Sequence, residues 1–237
     1  QDRIKRIAEH YEEKLRDKGT AFSWWLRAHS EDHRAEWIRT ELERLAGETG
    51  AWPALVDAYD KSLPKFDSKH DALPLMLVMA RVCETELGEA DRALALSREI
   101  LDIDDANQQA LDSLERLYVA RGRFQELLDI YQKKLDLSTD GDQRIAIQSK
   151  IGQLYEDEVK DDGKAIAAYQ GILDAAGDEP GALRSLDRIY SRNQKWSELA
   201  DILGRQLTIV GPDDDRGAHV EFKYRLGQLR EQHLGQA

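Results

Sequence analysis

The sequence predicts an all-α chain, a right-handed α-solenoid of stacked antiparallel helix pairs. Three observations carry this. The stretch "LERLA" at 42–46 returns as "LERLY" at 114–118 and as "LDRIY" at 186–190, so the two steps are equal. Of 237 residues 34% are charged, 41% are hydrophobic and only 5 are proline, a mixture that favours helix and leaves few breakers. Apolar residues recur three and four apart, which makes one buried stripe per helix.

The elements follow in order. Residues 2–18, "DRIKRIAEHYEEKLRDK", read as the second helix of a truncated pair, with Tyr11 and Leu15 on its stripe. Residues 18–33 hold Phe22, Trp24 and Trp25 and read as an extra segment without counterpart in the chain. Helix pairs then begin near 36, 73, 108, 145 and 180, and 220–237 supplies the first helix of another truncated pair. The 72-residue register aligns Trp52 with Phe124 and Trp196, Leu55 with Leu127 and Leu199, and Tyr59 with Tyr131. It also aligns Ala93 with Ala165 and Ile100 with Ile172. Gly122 and the run Asp161-Asp162-Gly163 mark turns, since glycine ends a helix cheaply and aspartate caps the next. The whole of 1–237 is read as a single array, cut from a longer one at both ends. One helix pair cannot bury its stripe alone, so the repeat is first a folding device.

A period of about 35 residues in helix–turn–helix units resembles the tetratricopeptide repeat, whose pattern is W-x2-L-G-x2-Y, then A-x3-F, then P. Ile151-Gly152, Tyr155, Ala165 and Tyr169 carry the resemblance most clearly. The units at 36, 108 and 180 depart from it, with Glu115 where glycine is usual and Leu127 where alanine is usual in the 108 unit. The resemblance spans roughly 31–237 and implies a concave groove lined by the first helix of each pair. Its groove positions fall on Arg44, Arg81, Arg116, Gln153, Arg188 and Gln228. Arg184 and Arg192 extend the basic face of the 180 helix at i, i+4 and i+8.

Charge and motif narrow the function classes. A net charge of −12 disfavours nucleic acid as a partner. The longest apolar run, 73–80, contains Pro74 and is too short to span a bilayer. A single cysteine, Cys83, excludes an internal disulfide framework and reads as a small buried hydrophobe. There is no phosphate loop, nucleophile elbow or HExxH, so no catalytic residue and no cofactor are expected. His29 and His33 stand four apart, but Ser30-Glu31-Asp32 reads as a helix start between them, and no metal site is expected. Asp213-Asp214-Asp215 reads as a helix cap rather than a calcium loop.

The expected function is a non-catalytic protein–protein interaction scaffold that holds a partner peptide or helix in its groove. The alternative is a regulatory or architectural segment of a larger multidomain enzyme. Arg44, Arg81, Arg116, Arg184, Arg188 and Arg192 are the expected groove residues, suited to an acidic partner. Glu84 and Glu156 stand close enough in the pattern to neutralise them instead. Arg188 and Arg192 avoid the apolar stripe, so reversing their charge should leave the fold intact. Phe22, Trp24 and Trp25 read as aromatics packed on the first complete pair, or as a hydrophobic partner anchor. Open apolar stripes at 2–18 and 220–234 suggest self-association. The expected location is cytoplasmic.

Overall fold

The computed structural model describes residues 2–235, so the extreme ends of the expected array, 1 and 236–237, lie outside the described residues. The described residues form α-helices and short turns of tighter or wider helix, without a strand. They divide into two compact units, 1–117 and 118–237.

The first unit contains α1 (Asp2–Glu13), α2 (Lys18–Glu31), α3 (Glu36–Thr49), α4 (Trp52–Asp60), α5 (Lys69–Thr85), α6 (Ala90–Ile103) and most of α7 (Gln108–Ala120). From α1 to α6, each helix packs on the next. Short links make such neighbours antiparallel. Leu42, Leu45, Leu55, Tyr59, Leu75, Met79, Ile100, Leu111 and Leu114 are all fully or almost fully buried.

The second unit contains α8 (Phe124–Leu137), α9 (Gly141–Leu154), a π-helical turn (Tyr155–Val159), α10 (Asp162–Ala176), α11 (Pro180–Arg192), α12 (Trp196–Ile209) and α13 (Arg216–His233). Neighbours in sequence again pack together. Tyr169, Ile172, Leu183, Leu186, Ile189, Tyr190 and Leu203 form the centre of its core, with Leu226 and Leu229 of α13 closing it.

The 72-residue register holds to the residue at helix starts. The helices α3, α7 and α11 begin at 36, 108 and 180, and α4, α8 and α12 begin on Trp52, Phe124 and Trp196. Leu117, Leu127 and Tyr131 are buried as the stripe requires. Gly122, at φ 62°, follows α7 in the left-handed region where only glycine is unstrained. Asp161 accepts from Lys164 N at 3.0 Å and so caps α10.

Three expectations need correction. The pairs expected near 73, 145 and 220 begin four residues earlier, at 69, 141 and 216. Their caps are Ser68, Asp140 and Asp215, accepting from His70, Gln143 and Ala218. A polar first turn follows each cap, so apolar periodicity registers the helix one turn late. Second, Ser30-Glu31-Asp32 ends a helix rather than starting one: α2 runs through Ser30 and Glu31, and Asp32 N bonds back to Ala28 O at 3.0 Å. His33 therefore lies beyond the helix that carries His29.

The third correction concerns the N-terminal segment. Residues 18–31 are a full helix that packs on α1, so the two make a pair of their own. They stand in register with later pairs: α2, α6 and α10 start at 18, 90 and 162, evenly spaced by the same interval as the other helices. Ala21, Ala93 and Ala165 share one position and are all fully buried. So α1 is a first helix, not a second, and α2 covers its stripe at Ile4 and Ala8.

Candidate functional site

The first helices carry the charged residues singled out above. Each guanidinium of the ladder that the structure pairs reaches back to an acid one helix pair earlier. Arg44 donates to Glu12 Oε1 and Oε2 at 2.7 and 2.8 Å. Arg116 donates to Glu84 Oε1 and Oε2 at 2.8 and 3.0 Å. Arg188 donates to Glu156 Oε1 and Oε2 at 2.8 and 2.7 Å. The donors lie at 44, 116 and 188 and the acceptors at 12, 84 and 156, so the ion pair itself repeats in the register of the helices.

A second series interleaves with the first. Arg81 donates to Glu43 at 2.7 Å, and Arg225 grips Asp187 with bonds of 2.8 and 2.5 Å. Glu43, Glu115 and Asp187 occupy the glycine position of the repeat pattern in the odd units. At Glu43 and Asp187 the departure from glycine thus supplies a carboxylate for bridging. In α13 the bridging residue is Arg225, not the Gln228 that pattern counting selects. Arg225 lies two 72-residue steps beyond Arg81, and each arginine stands 38 residues after the acid it holds.

Burial differs across these pairs. Glu156 sits in the π turn with its side chain 1% exposed, held by Arg188 and by Arg192 at 3.0 Å. Hydrogen bonds from Arg188 hold the Glu156 carboxyl below the usual carboxylate range, against burial. At Glu84, burial pushes upward, but the bonds from Arg116 and Ser113 outweigh it and the net shift is down. At Glu43 burial wins and the shift is up. Arg192 also pairs with Asp162, which Asn193 joins at 2.8 Å. Arg184 is exposed on α11, without an ion pair among the described residues.

Of the two readings of the aromatic segment, packing on the helices describes Phe22 and Trp25. Phe22 and Trp25 are buried, at 4% and 2% exposure, so neither presents a surface to a partner. Trp25 meets Trp37 edge-on at 5.6 Å between ring centres. Trp24 is half-buried, with the Arg27 guanidinium 5.4 Å from its ring. His29 is also buried, its Nε2 3.1 Å from Ser62 Oγ. Ser62 Oγ donates to Ala58 O at 2.9 Å, so Nε2 must be the donor and Nδ1 the acceptor, which has no partner among the described residues. Asp214 Oδ2 accepts from Gly211 N and Asp215 caps α13, so these acids close a turn.

One cleft lies on the first-helix face of the first unit. It holds about 340 Å³ and is bordered by α3, α5, α6 and α7. Leu77, Val78, Ala80, Ser97 and Ile100 line it, with Glu43, Arg81, Glu84, Gln109 and Arg116 around them. Sequence reasoning did not find it.

Alternating first and second helices, bridged by repeating ion pairs, define a helical-repeat protein. The tetratricopeptide repeat model matches residues 110–145 and 182–217, two segments at equivalent positions of the register. The chain carries tetratricopeptide repeats there. These are the odd units, with Glu115 and Asp187 at the glycine position, rather than the 145–180 unit that carries the consensus most visibly. The chain is 33% identical over 76 residues to outer dynein arm-docking complex subunit 4 of Danio rerio, a match covering 30% of this chain and 16% of that protein. The chain therefore matches only a small part of that relative's length. Among solved structures, the C-terminal part of a TPR repeat-containing protein from Cytophaga hutchinsonii gives a TM-score of 0.47 at 11% identity, over 96% of both chains. MamA gives 0.45 at 16% identity, over 77% of this chain and 95% of that one. Among the described residues no helix is long and apolar enough to cross a membrane.

Proposed function

We propose that the chain is a protein–protein interaction scaffold whose first-helix face receives a segment of a partner polypeptide. The observation that supports this most is the cleft between α5, α6 and α7, whose lining mixes apolar side chains with polar and charged ones. The ladder arginines Arg44, Arg81, Arg116, Arg188 and Arg192 lie on first helices, but each already neutralises an acid of the same unit. Their role in this reading is to fix the spacing of helix pairs, with partner contact secondary. The reading therefore assigns the partner no acidic character. The test is photo-crosslinking in cell extract with benzoylphenylalanine at exposed Gln109 on the cleft rim, against the same probe at exposed Asp57 on α4. A discrete adduct at 109 and none at 57 supports the reading. Equal labelling at both positions overturns it.

A further inference from the structure

Three helix pairs share one register: α1/α2, α5/α6 and α9/α10. In two of them the second helix places a large aromatic at a fixed position, Trp25 in α2 and Tyr169 in α10, 2% and 1% exposed. The first helix answers with a small residue, Ala8 or Gly152. At Gly152 the fit is so close that a Cβ would stand 2.6 Å from the Tyr169 ring. The α5/α6 pair keeps the small residue, Ala80, but has Ser97 where the aromatic belongs. The cleft of about 340 Å³ lies at this position, with Ala80, Ser97 and Ile100 among its lining. An apolar cavity of roughly 150 Å³ suffices to hold a benzene ring.

Ser97 adds a second observation. It is fully buried, and its Oγ has no hydrogen-bond partner among the described residues. A buried hydroxyl is seldom left so, because it gave up water for nothing. The charges at the rim do not call for an ionic guest, since Arg81 is paired with Glu43 and Arg116 with Glu84.

We infer that this cleft takes the side chain of a tyrosine presented by the partner polypeptide. Its ring occupies the space that Tyr169 fills from within in the sister pair, against Leu77, Val78, Ala80 and Ile100. A side chain entering from outside leads with its phenol, and the Ser97 hydroxyl, fully buried in the free chain, turns about χ1 to meet it at the deep end. Phenylalanine would fill the space and leave Ser97 unpaired. The inference rests on the scaffold reading and names the residue that the face recognises.

The test needs no partner. p-Cresol and toluene are titrated into the isotope-labelled chain and followed by NMR. The expected result is shifts at Ala80, Ser97 and Ile100, with p-cresol bound about fivefold tighter than toluene, the worth of one net hydrogen bond. Ser97→Ala should erase that preference while toluene still binds. The Ala80→Gly/Ser97→Tyr double variant, which copies the Gly152/Tyr169 arrangement, should weaken both probes at least about tenfold, because the chain's own ring then fills the cleft. If the double variant fails to fold, the Ser97→Ala comparison decides. No shifts at these residues, equal affinity for the two probes, or a preference that survives Ser97→Ala would overturn the inference. A partner adduct at Gln109 without p-cresol binding would overturn the tyrosine and leave the scaffold standing. The reverse pattern would keep the cleft's specificity and overturn the scaffold.

Discussion

Arg188 donates two hydrogen bonds, of 2.8 and 2.7 Å, to both oxygens of Glu156, a carboxylate buried in the π turn that ends the preceding first helix. The geometry is bidentate, the strongest form of charge-assisted bond. Its counterparts at Arg44–Glu12 and Arg116–Glu84 show that the chain encodes not only helices at a fixed interval but the bridge between them.

Removing both cations from Glu156 should therefore destabilise the second unit. Arg188→Ala/Arg192→Ala strands a buried carboxylate, for about 3 kcal/mol at pH 7. The figure is at the low end for buried pairs because both guanidiniums are partly exposed. Arg188→Glu/Arg192→Glu should cost more, contrary to the sequence-based expectation that these positions are free to change. Urea denaturation followed by circular dichroism measures both, and wild-type stability in the double alanine variant would remove Glu156 from the balance. The pH dependence follows in sign. Because the folded Glu156 titrates below its usual 4.5, its contribution is present above that pH and is lost as the pH falls further. In the double alanine variant that acid-side loss should disappear.

His29 makes the first unit acid-sensitive at a higher pH. Burial, then the charges of His33, Arg39 and Lys65, lower it from 6.5 to about 4. The unfolded chain thus takes up the proton first, and stability falls as the pH drops from 6.5 toward 4. Each pH unit in that window costs up to about 1.4 kcal/mol. Leu101 and Leu173 hold the same register position in α6 and α10. His29→Leu should accordingly flatten the profile between pH 6.5 and 4, read as midpoints of thermal unfolding at a series of pH values. An unchanged slope would place the sensitivity elsewhere.

Gly152→Ala should cost about 1–3 kcal/mol, since the added methyl meets a rigid buried ring. Tyr169→Ser should cost about 3–5 kcal/mol by opening a cavity. The two changes together recreate the Ala80/Ser97 arrangement, in which the clash is absent. Gly152→Ala should then be nearly neutral in the Tyr169→Ser background, a coupling that a double-mutant cycle in urea reads directly. Additive costs would show that the ring and the glycine do not touch.

Leu114→Ala tests the repeated stripe itself. The side chain is 1% exposed at a position that recurs as Leu42 and Leu186. Its truncation should cost about 2–5 kcal/mol by chemical denaturation. A loss below about 1 kcal/mol would put the stripe on the surface.

By itself the sequence determined the helix pairs, their 72-residue register and the residues that start α4, α8 and α12. These follow from local spacing, which any stretch of chain displays. It did not disclose that α1 and α2 form a pair. In that block Trp25 and His29 stand where α10 has Tyr169 and Leu173: position is shared but identity is not. It displayed the arginines and the acids but not their partnership, since Arg188 and Glu156 are 32 residues apart and meet only when one helix pair stacks on the next. The cleft was least legible of all. Its cause is an aromatic that is absent at Ser97, and an absence has physical content only once the surrounding helices have packed and failed to fill the space.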